Sequence, residues 1–383
     1  MANSGNGEGR PALRQAIHVG IIGGGQLGRM LGLAGIPLGI RFRILEPKEN
    51  APASAIGEHI RGDYDDPEAL DRFAEGLDAV TYEFENVPVE SARRLAGQVP
   101  VFPPPAALEM AQDRLVEKET FESIGIETAP WRQVDSREDL ARALEVLGTP
   151  AILKTRRFGY DGKGQERIDD GPSADAAWER LGGVPLILEG FVDFHRELSG
   201  IAVRDRSGQI RHYPLAENLH RDGILRESRA PAPGILPERA REARTKVERL
   251  LEYLDYVGVV AVEFFETADG LIANEMAPRV HNSGHWSQDG GGVSQFENHI
   301  RAILGLPLGD PAPNGWAGMV NLIGGFPRRR EALGVSGARL HLYDKSPRPG
   351  RKIGHINVRR GSLEELEKGM AQISELAHDA GEG

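Results

Sequence analysis

A short apolar run at residues 17–22 predicts a buried strand. A glycine-dense turn and an apolar helix at about 29–38 follow, then strands at 41–47 and 78–83. Strand, helix and strand at this spacing predict a parallel α/β sheet. Four prolines within residues 99–105 read as a crossover out of this first unit. From about Ala106 the pattern changes. It predicts a charged helix around Asp113 and Arg114, a strand at 149–154, a glycine-rich stretch at 158–165 and a strand at 186–189. Residues 197–204 and 209–214 read as one hairpin and 257–277 as another, separated by a charged amphipathic helix at 237–254. From about Gly315 a smaller, Gly/Pro-rich β unit leads into a helix at 363–377. Residues 1–15 are Gly/Asn-rich and read as a disordered extension, with a similar end at 379–383.

The 383 residues are enough for two or three domains and a sizeable core. The balance of 40% hydrophobic and 27% charged residues is that of a globular protein. A net charge of -11 and a pI near 5.6 make a general nucleic-acid binder a poor fit, because phosphate neutralisation needs a basic face. The absence of cysteine excludes disulfides, thiolate nucleophiles and Cys-ligated zinc. No stretch resembles a signal peptide or a membrane span, so a cytoplasmic enzyme is expected.

Three segments carry chemistry. Gly23, Gly25 and Gly28 have the spacing of a dinucleotide fingerprint, with Glu46 near the acidic position after the next strand. A phosphate at the helix N-terminus and a tight strand-to-helix turn without ligand both fit this pattern. Lys154 ends a strand that leads into Phe158-Gly159-Tyr160-Asp161-Gly162-Lys163-Gly164-Gln165. Without Gly-Lys followed by Ser or Thr, it is no Walker A loop. It reads as a glycine flap whose amides cradle phosphate oxygens, with Lys154 as a fixed charge.

The third segment is the hairpin at 257–277 and its extension to Trp286. A three-residue loop, Ala268-Asp269-Gly270, with Gly270 left-handed, pairs Thr267 with Leu271. The same register opposes Glu263 to Glu275 on one face. Two carboxylates so placed repel, and magnesium, which takes one or two carboxylates plus substrate phosphates, resolves the conflict. Beyond them Arg279, His281 and Asn282 suit a small planar oxyanion. His281 and His285 as zinc ligands are a weaker alternative, since Gly284 between them argues against a helix and no zincin glutamate intervenes. Residues 345–355 form a locally basic loop with Lys345, Arg351 and Lys352, suited to a phosphate or merely solvated.

Taken together these residues resemble the ATP-grasp enzymes of purine biosynthesis, the 5-(carboxyamino)imidazole ribonucleotide synthetases. The likeness runs from about Ile17 to Asn357, carried by residues 23–30, 83–88, 159–165, 189–192, 274–286 and 348–355. Val280 stands where the family usually has proline and Ser287 where it usually has threonine. The resemblance implies an ATP-grasp fold, mixed α/β and α+β. A Rossmann-like domain at 16–113 would precede an ATP-grasp domain at 114–314, whose lid subdomain holds the flap at 155–190. A small C-terminal β domain would occupy 315–383. It implies carboxylation of aminoimidazole ribonucleotide by ATP and bicarbonate through carboxyphosphate, with Mg2+, in a homodimer. Carried over, Arg114, Lys154, the flap from Gly159 to Gln165, Glu189, Gly190, Phe191, Val192, Glu197, His220, Asn274 and Glu275 would hold ATP. Glu263 and Glu275 would hold the metal. Tyr160, Arg279, His281 and Asn282 would surround bicarbonate. Gly25, Gln26, Leu27, Glu83, Asn86, Lys345, Arg351 and Lys352 would hold the ribonucleotide. The alternatives are a formate-dependent ribonucleotide formyltransferase on the same fold and an NAD-dependent oxidoreductase.

Overall fold

The structure, a computed structural model, describes residues 16–159 and 162–382. The extension expected at 1–15 lies outside them, as do Tyr160 and Asp161. The chain starts with β1 (His18–Ile22), α1 (Gln26–Gly35), β2 (Arg41–Leu45), β3 (Glu58–Ile60), α2 (Pro67–Ala74), β4 (Ala79–Tyr82), α3 (Val89–Ala96) and α4 (Pro105–Ala111). These strands form a parallel sheet in the order β3-β2-β1-β4. β1 and β4 are buried almost throughout, whereas Arg41 on β2 and Glu58 on the edge strand β3 are exposed.

Next come α5 (Arg114–Ser123), β5 (Trp131–Val134), α6 (Arg137–Leu147), β6 (Ala151–Thr155), β7 (Gln165–Ile168), α7 (Gly171–Leu181) and β8 (Leu186–Gly190). Strands β5-β8-β6-β7 make a separate antiparallel sheet with its own small core around Leu153, Leu186 and Leu188. The glycine flap is the β6–β7 connection at the edge of this sheet.

The rest of the chain builds on β9 (Arg196–Arg204), β10 (Ile210–His212), β11 (Ala216–Arg221), β12 (Ile224–Ala230), α8 (Pro237–Tyr253), β13 (Gly258–Glu266), β14 (Leu271–Ala277) and α9 (Gln295–Ile303). It closes with β15 (Trp316–Ile323), α10 (Arg329–Gly334), β16 (Ala338–Leu342), β17 (Lys352–Arg360) and α11 (Leu363–Glu382). One sheet runs β14-β13-β9-β11-β12-β15-β17-β16, so the C-terminal strands continue the central sheet through β12 and β15. Helix α11 continues through the residues read as a loose end, 379–382. No helix among the described residues is long and apolar enough to cross a membrane.

Candidate active site

Two cavities, of about 430 and 410 Å³, open between the three parts of the fold. The first lies between the lid sheet and the central sheet. Most residues expected to hold ATP line it, from Arg114 and Lys154 through Glu189–Val192 to Asn274 and Glu275. Lys154 Nζ lies 2.8 Å from Glu189 Oε2, on the adjacent strand β8. Burial alone would push the Glu189 carboxyl up. Lys118 and Lys154 outweigh it and hold that carboxyl at about 2. Glu189 Oε1 is buried and has no partner. His220 Nδ1 sits 2.7 Å from Glu197 Oε2.

Arg114 is the first residue of α5, whose N-cap Asp113 accepts from the Leu115 amide. Asp113 also takes two bonds from Arg156, at 2.9 and 2.7 Å, which ties the helix start to the base of the flap. Arg114 reaches across to Glu275 Oε2 at 2.9 Å.

Glu263 and Glu275 face one another across β13 and β14, but by a different route from the one the loop implies. The turn holds four residues, 267–270: Glu266 pairs with Leu271, and the Thr267 amide donates to Gly270 O. Gly270 has no left-handed φ. A bulge then leaves Asn274 unpaired and restores Glu263 opposite Glu275. Burial first, and Glu275 second, push the Glu263 carboxyl up, while Arg114 holds Glu275 down. Asn274 Oδ1 is buried beside them without a partner. Two opposed carboxylates and an orphan amide oxygen form an oxygen donor set that suits a hard divalent cation.

The second cavity lies between the first sheet and the central sheet. Gln26, Leu27, Glu83, Asn86, Arg279 and Lys345 line it. The two cavities meet at Arg114, Glu263, Glu275, His281, Asn282 and Lys352, which line both. Arg279 pairs with Glu85. Burial alone would push Glu85 up, but that guanidinium holds it at about 2. His281 is driven down to about 3 by burial, then by Arg279 and Lys352. Its Nε2 lies 3.7 Å from Glu263 Oε1.

Family models match the chain in three stretches. They are a ribonucleotide synthetase preATP-grasp domain at residues 16–112, an ATP-grasp domain at 119–296 and a phosphoribosylaminoimidazole carboxylase C-terminal domain at 317–369. The N5-carboxyaminoimidazole ribonucleotide synthase of Pseudomonas aeruginosa is 48% identical over 360 residues, 94% of this chain and 99% of that one. The chain belongs to the N5-carboxyaminoimidazole ribonucleotide synthase family. The Brucella melitensis synthase is 52% identical over 91% of this chain and 97% of its own. The crystal structure of the Thermus thermophilus synthetase superposes with a TM-score of 0.90 at 56% identity, covering 94% of this chain and 98% of that one. An Aspergillus clavatus synthase solved with ADP and 5-aminoimidazole ribonucleotide gives 0.88 at 31% identity, over 95% and 99% of the two chains. The fold is therefore the mixed α/β ATP-grasp architecture, and the enzyme class that of an ATP-grasp ligase.

The glycine turn of this synthase family member is not an open dinucleotide cradle. Gly24 donates to Glu46 Oε2 at 2.8 Å, and Gly25 and Gly28 donate to the two oxygens of Glu83. The chain's own carboxylate thus caps α1 where a dinucleotide's pyrophosphate would sit. Together with the family membership this overturns the oxidoreductase reading. Lys345, bonded to Gln26 Oε1, is driven down to about 8 mainly by burial.

Gly25, Gly164 and Arg351 line neither cavity. Arg351 folds onto Ser346, and Gly164 lies within the flap against its base, its carbonyl accepting from the Thr155 amide. Asn282 exchanges amide hydrogen bonds with Asn321 of β15. His285, the second candidate zinc ligand, is buried against Phe296 and His355.

Sequence reasoning missed four contributors. Lys118 is fully buried, donates to Asn274 O at 2.8 Å and lies 3.6 Å from Glu189. Its i, i+4 spacing from Arg114 was the available signal. Glu117 accepts from the Met276 amide, and burial followed by Glu275 drives its carboxyl up to about 8. Glu85 and Asn321 become visible only through their partners Arg279 and Asn282.

Proposed function

We propose that this chain joins bicarbonate to 5-aminoimidazole ribonucleotide at the expense of ATP, giving the N5-carboxyamino product, ADP and phosphate in purine biosynthesis. The observation that carries the reading is the meeting of two cavities at Arg114, Glu263, Glu275, His281, Asn282 and Lys352. One side is shaped for a nucleoside triphosphate and the other for an anionic ribonucleotide. The Aspergillus clavatus synthase, solved with ADP and 5-aminoimidazole ribonucleotide, supports the same division.

In this reading ATP lies between the lid and the central sheet. Lys154 and the flap amides hold its phosphates, and Phe191 and Val192 flank its base. Glu263, Glu275 and Asn274 would hold Mg2+, which would supply positive charge to neutralise the phosphates. Arg279, His281 and Asn282 place bicarbonate so that its oxygen attacks the γ-phosphorus as ADP leaves. The carboxyphosphate then gives up its carboxyl carbon to the substrate amine, its C–O bond to phosphate breaks, and the nitrogen loses a proton. Phosphoryl transfer of this kind is mainly positioning and charge stabilisation. A closed flap keeps water from carboxyphosphate. Lys345 and Lys352, with Arg351 behind them, would hold the ribonucleotide phosphate, and Glu83 and Asn86 its ribose or base. We also propose a cytoplasmic homodimer. The exposed Leu33, Ile36 and Leu38 provide apolar surface for a second copy, and light scattering would measure the mass.

The test varies the small acid at fixed ATP and magnesium. Phosphate release should require bicarbonate and aminoimidazole ribonucleotide together, and magnesium with them. Release with formate in place of bicarbonate would move the assignment to a formyltransferase.

A further inference from the structure

The loop from Val280 to Gln288 holds His281 with more precision than a surface loop needs. His281 caps a short 3-10 turn, Asn282–Gln288, and its ring nitrogen Nδ1 faces two groups of Ser283. The Ser283 hydroxyl lies 2.8 Å from Nδ1 and the Ser283 amide 3.4 Å from it. A hydroxyl can donate or accept, but a backbone amide only donates. The amide therefore decides the polarity: Nδ1 is the acceptor, the hydroxyl donates as well, and the imidazole proton resides on Nε2. Both donors are fixed, because Ser283 is fully buried.

The backbone of the same residue is clamped separately. Gln295, fully buried at the start of α9, accepts from the His281 amide at 2.9 Å and donates to the His281 carbonyl at 2.6 Å. The Gln295 backbone N–H in turn donates to Ser287 Oγ at 3.1 Å. At Gly284 a Cβ would stand 2.7 Å from Gln295 Oε1, so the loop passes too close for any larger residue. Ring and backbone of His281 are thus gripped by different residues, with Nε2 left facing the junction of the two cavities.

We propose that Ser283 and Gln295 are positioning residues for His281, Ser283 locking the ring in its Nε2–H tautomer and Gln295 fixing the backbone that carries it, so that the ring presents an N–H donor to an oxygen of the bicarbonate-derived group. This deepens the proposed function and rests on it. A donor fixed before the oxyanion forms costs no reorganisation during the reaction. The opposite tautomer would turn a lone pair toward that oxyanion and repel it.

The test combines spectroscopy with kinetics. In protein labelled with 15N-histidine, the long-range proton–nitrogen spectrum reports which nitrogen of His281 is protonated, and His281→Asn identifies its signals. Wild type should show protonated Nε2 and bare Nδ1. Ser283→Ala removes the closer donor and leaves only the amide at 3.4 Å, so the other tautomer should gain population and kcat/KM for bicarbonate should fall about tenfold, the loss of one hydrogen bond. KM for ATP should be unchanged and the thermal midpoint should fall by no more than about 4 °C, the loss of one buried hydrogen bond, and Ser283→Thr should restore both signal and rate. A proton on Nδ1 in wild type, or an unchanged bicarbonate kcat/KM in Ser283→Ala, overturns the proposal. An enzyme idle with bicarbonate whose His281 still carries its proton on Nε2 sinks the functional reading and supports the tautomer lock.

Discussion

Glu263 and Glu275 show how a site can be built against the stability of its own fold. Both lie on one face, opposed across a two-strand ladder, with 15% of the Glu263 side chain and 40% of the Glu275 side chain exposed. Arg114 compensates Glu275 at 2.9 Å. His281 lies 3.7 Å from Glu263, but burial keeps that ring neutral, and the positive charge of His220 and Lys352 does not offset burial and Glu275, so the Glu263 carboxyl stays pushed up. Without a cation the pair is therefore a source of strain, and removing one charge relieves it. Glu263→Gln should abolish phosphate release, by at least about a hundredfold in kcat. It should also raise the thermal midpoint of the metal-free protein by roughly 2 °C. Calorimetry without magnesium, beside the phosphate assay, checks both. A lowered midpoint would show that Glu263 serves the fold rather than a cation. The shared face of this pair was legible in the sequence from alternation, but the loop read there is one residue too short and the pairing holds only because a bulge offsets it. The bulge at Asn274 was not legible, since an extra unpaired residue leaves no mark on the hydrophobic pattern.

At the scale of elements, α9 packs against both α1 and β13, and one of its imidazoles bridges the first sheet to the central one directly. His299 is fully buried. Its Nε2 lies 2.8 Å from Thr81 Oγ1 on β4, and its Nδ1 accepts from the Val259 amide on β13 at 3.0 Å. Gly258 makes room: its φ is +119°, and a Cβ there would stand 2.9 Å from the ring. His299→Ala should leave the Val259 amide unpaired over a void, costing about 3 kcal/mol. The thermal midpoint would report it. Burial also drives His299 from 6.5 to about 3. Above pH 6.5 folded and unfolded chains are both neutral at this residue. Below it the unfolded chain binds a proton that the fold refuses, so stability drains as pH falls toward 3. In His299→Ala that part of the acid sensitivity should disappear. Most strands and helices were legible as short apolar blocks with turn residues between them. Contacts such as His299 to Thr81 join residues more than two hundred positions apart. No periodicity encodes them.

The whole molecule divides into a rigid frame and a lighter lid. The central sheet runs without a break from β14 to β16, so the Lys345–Lys352 loop is set against the Glu263–Glu275 face by continuous hydrogen bonding. The lid sheet has its own small core, and on its cavity side charged pairs tie it to α5 and its N-cap: Lys118 on Glu189, Arg156 and Arg157 on Asp113. A unit with a separate core and polar attachments moves at lower cost than one that shares its core. ATP between the two sheets would add bonds to both and hold them together. Trypsin should therefore cut after Arg157, whose side chain is 49% exposed, in the free protein. With ATP and magnesium near a hundredfold excess over the dissociation constant, the cut should slow about tenfold or more. Equal cutting with and without the nucleotide would mean that the β6–β7 connection does not close over it. The enzyme would then need another way to keep water from carboxyphosphate.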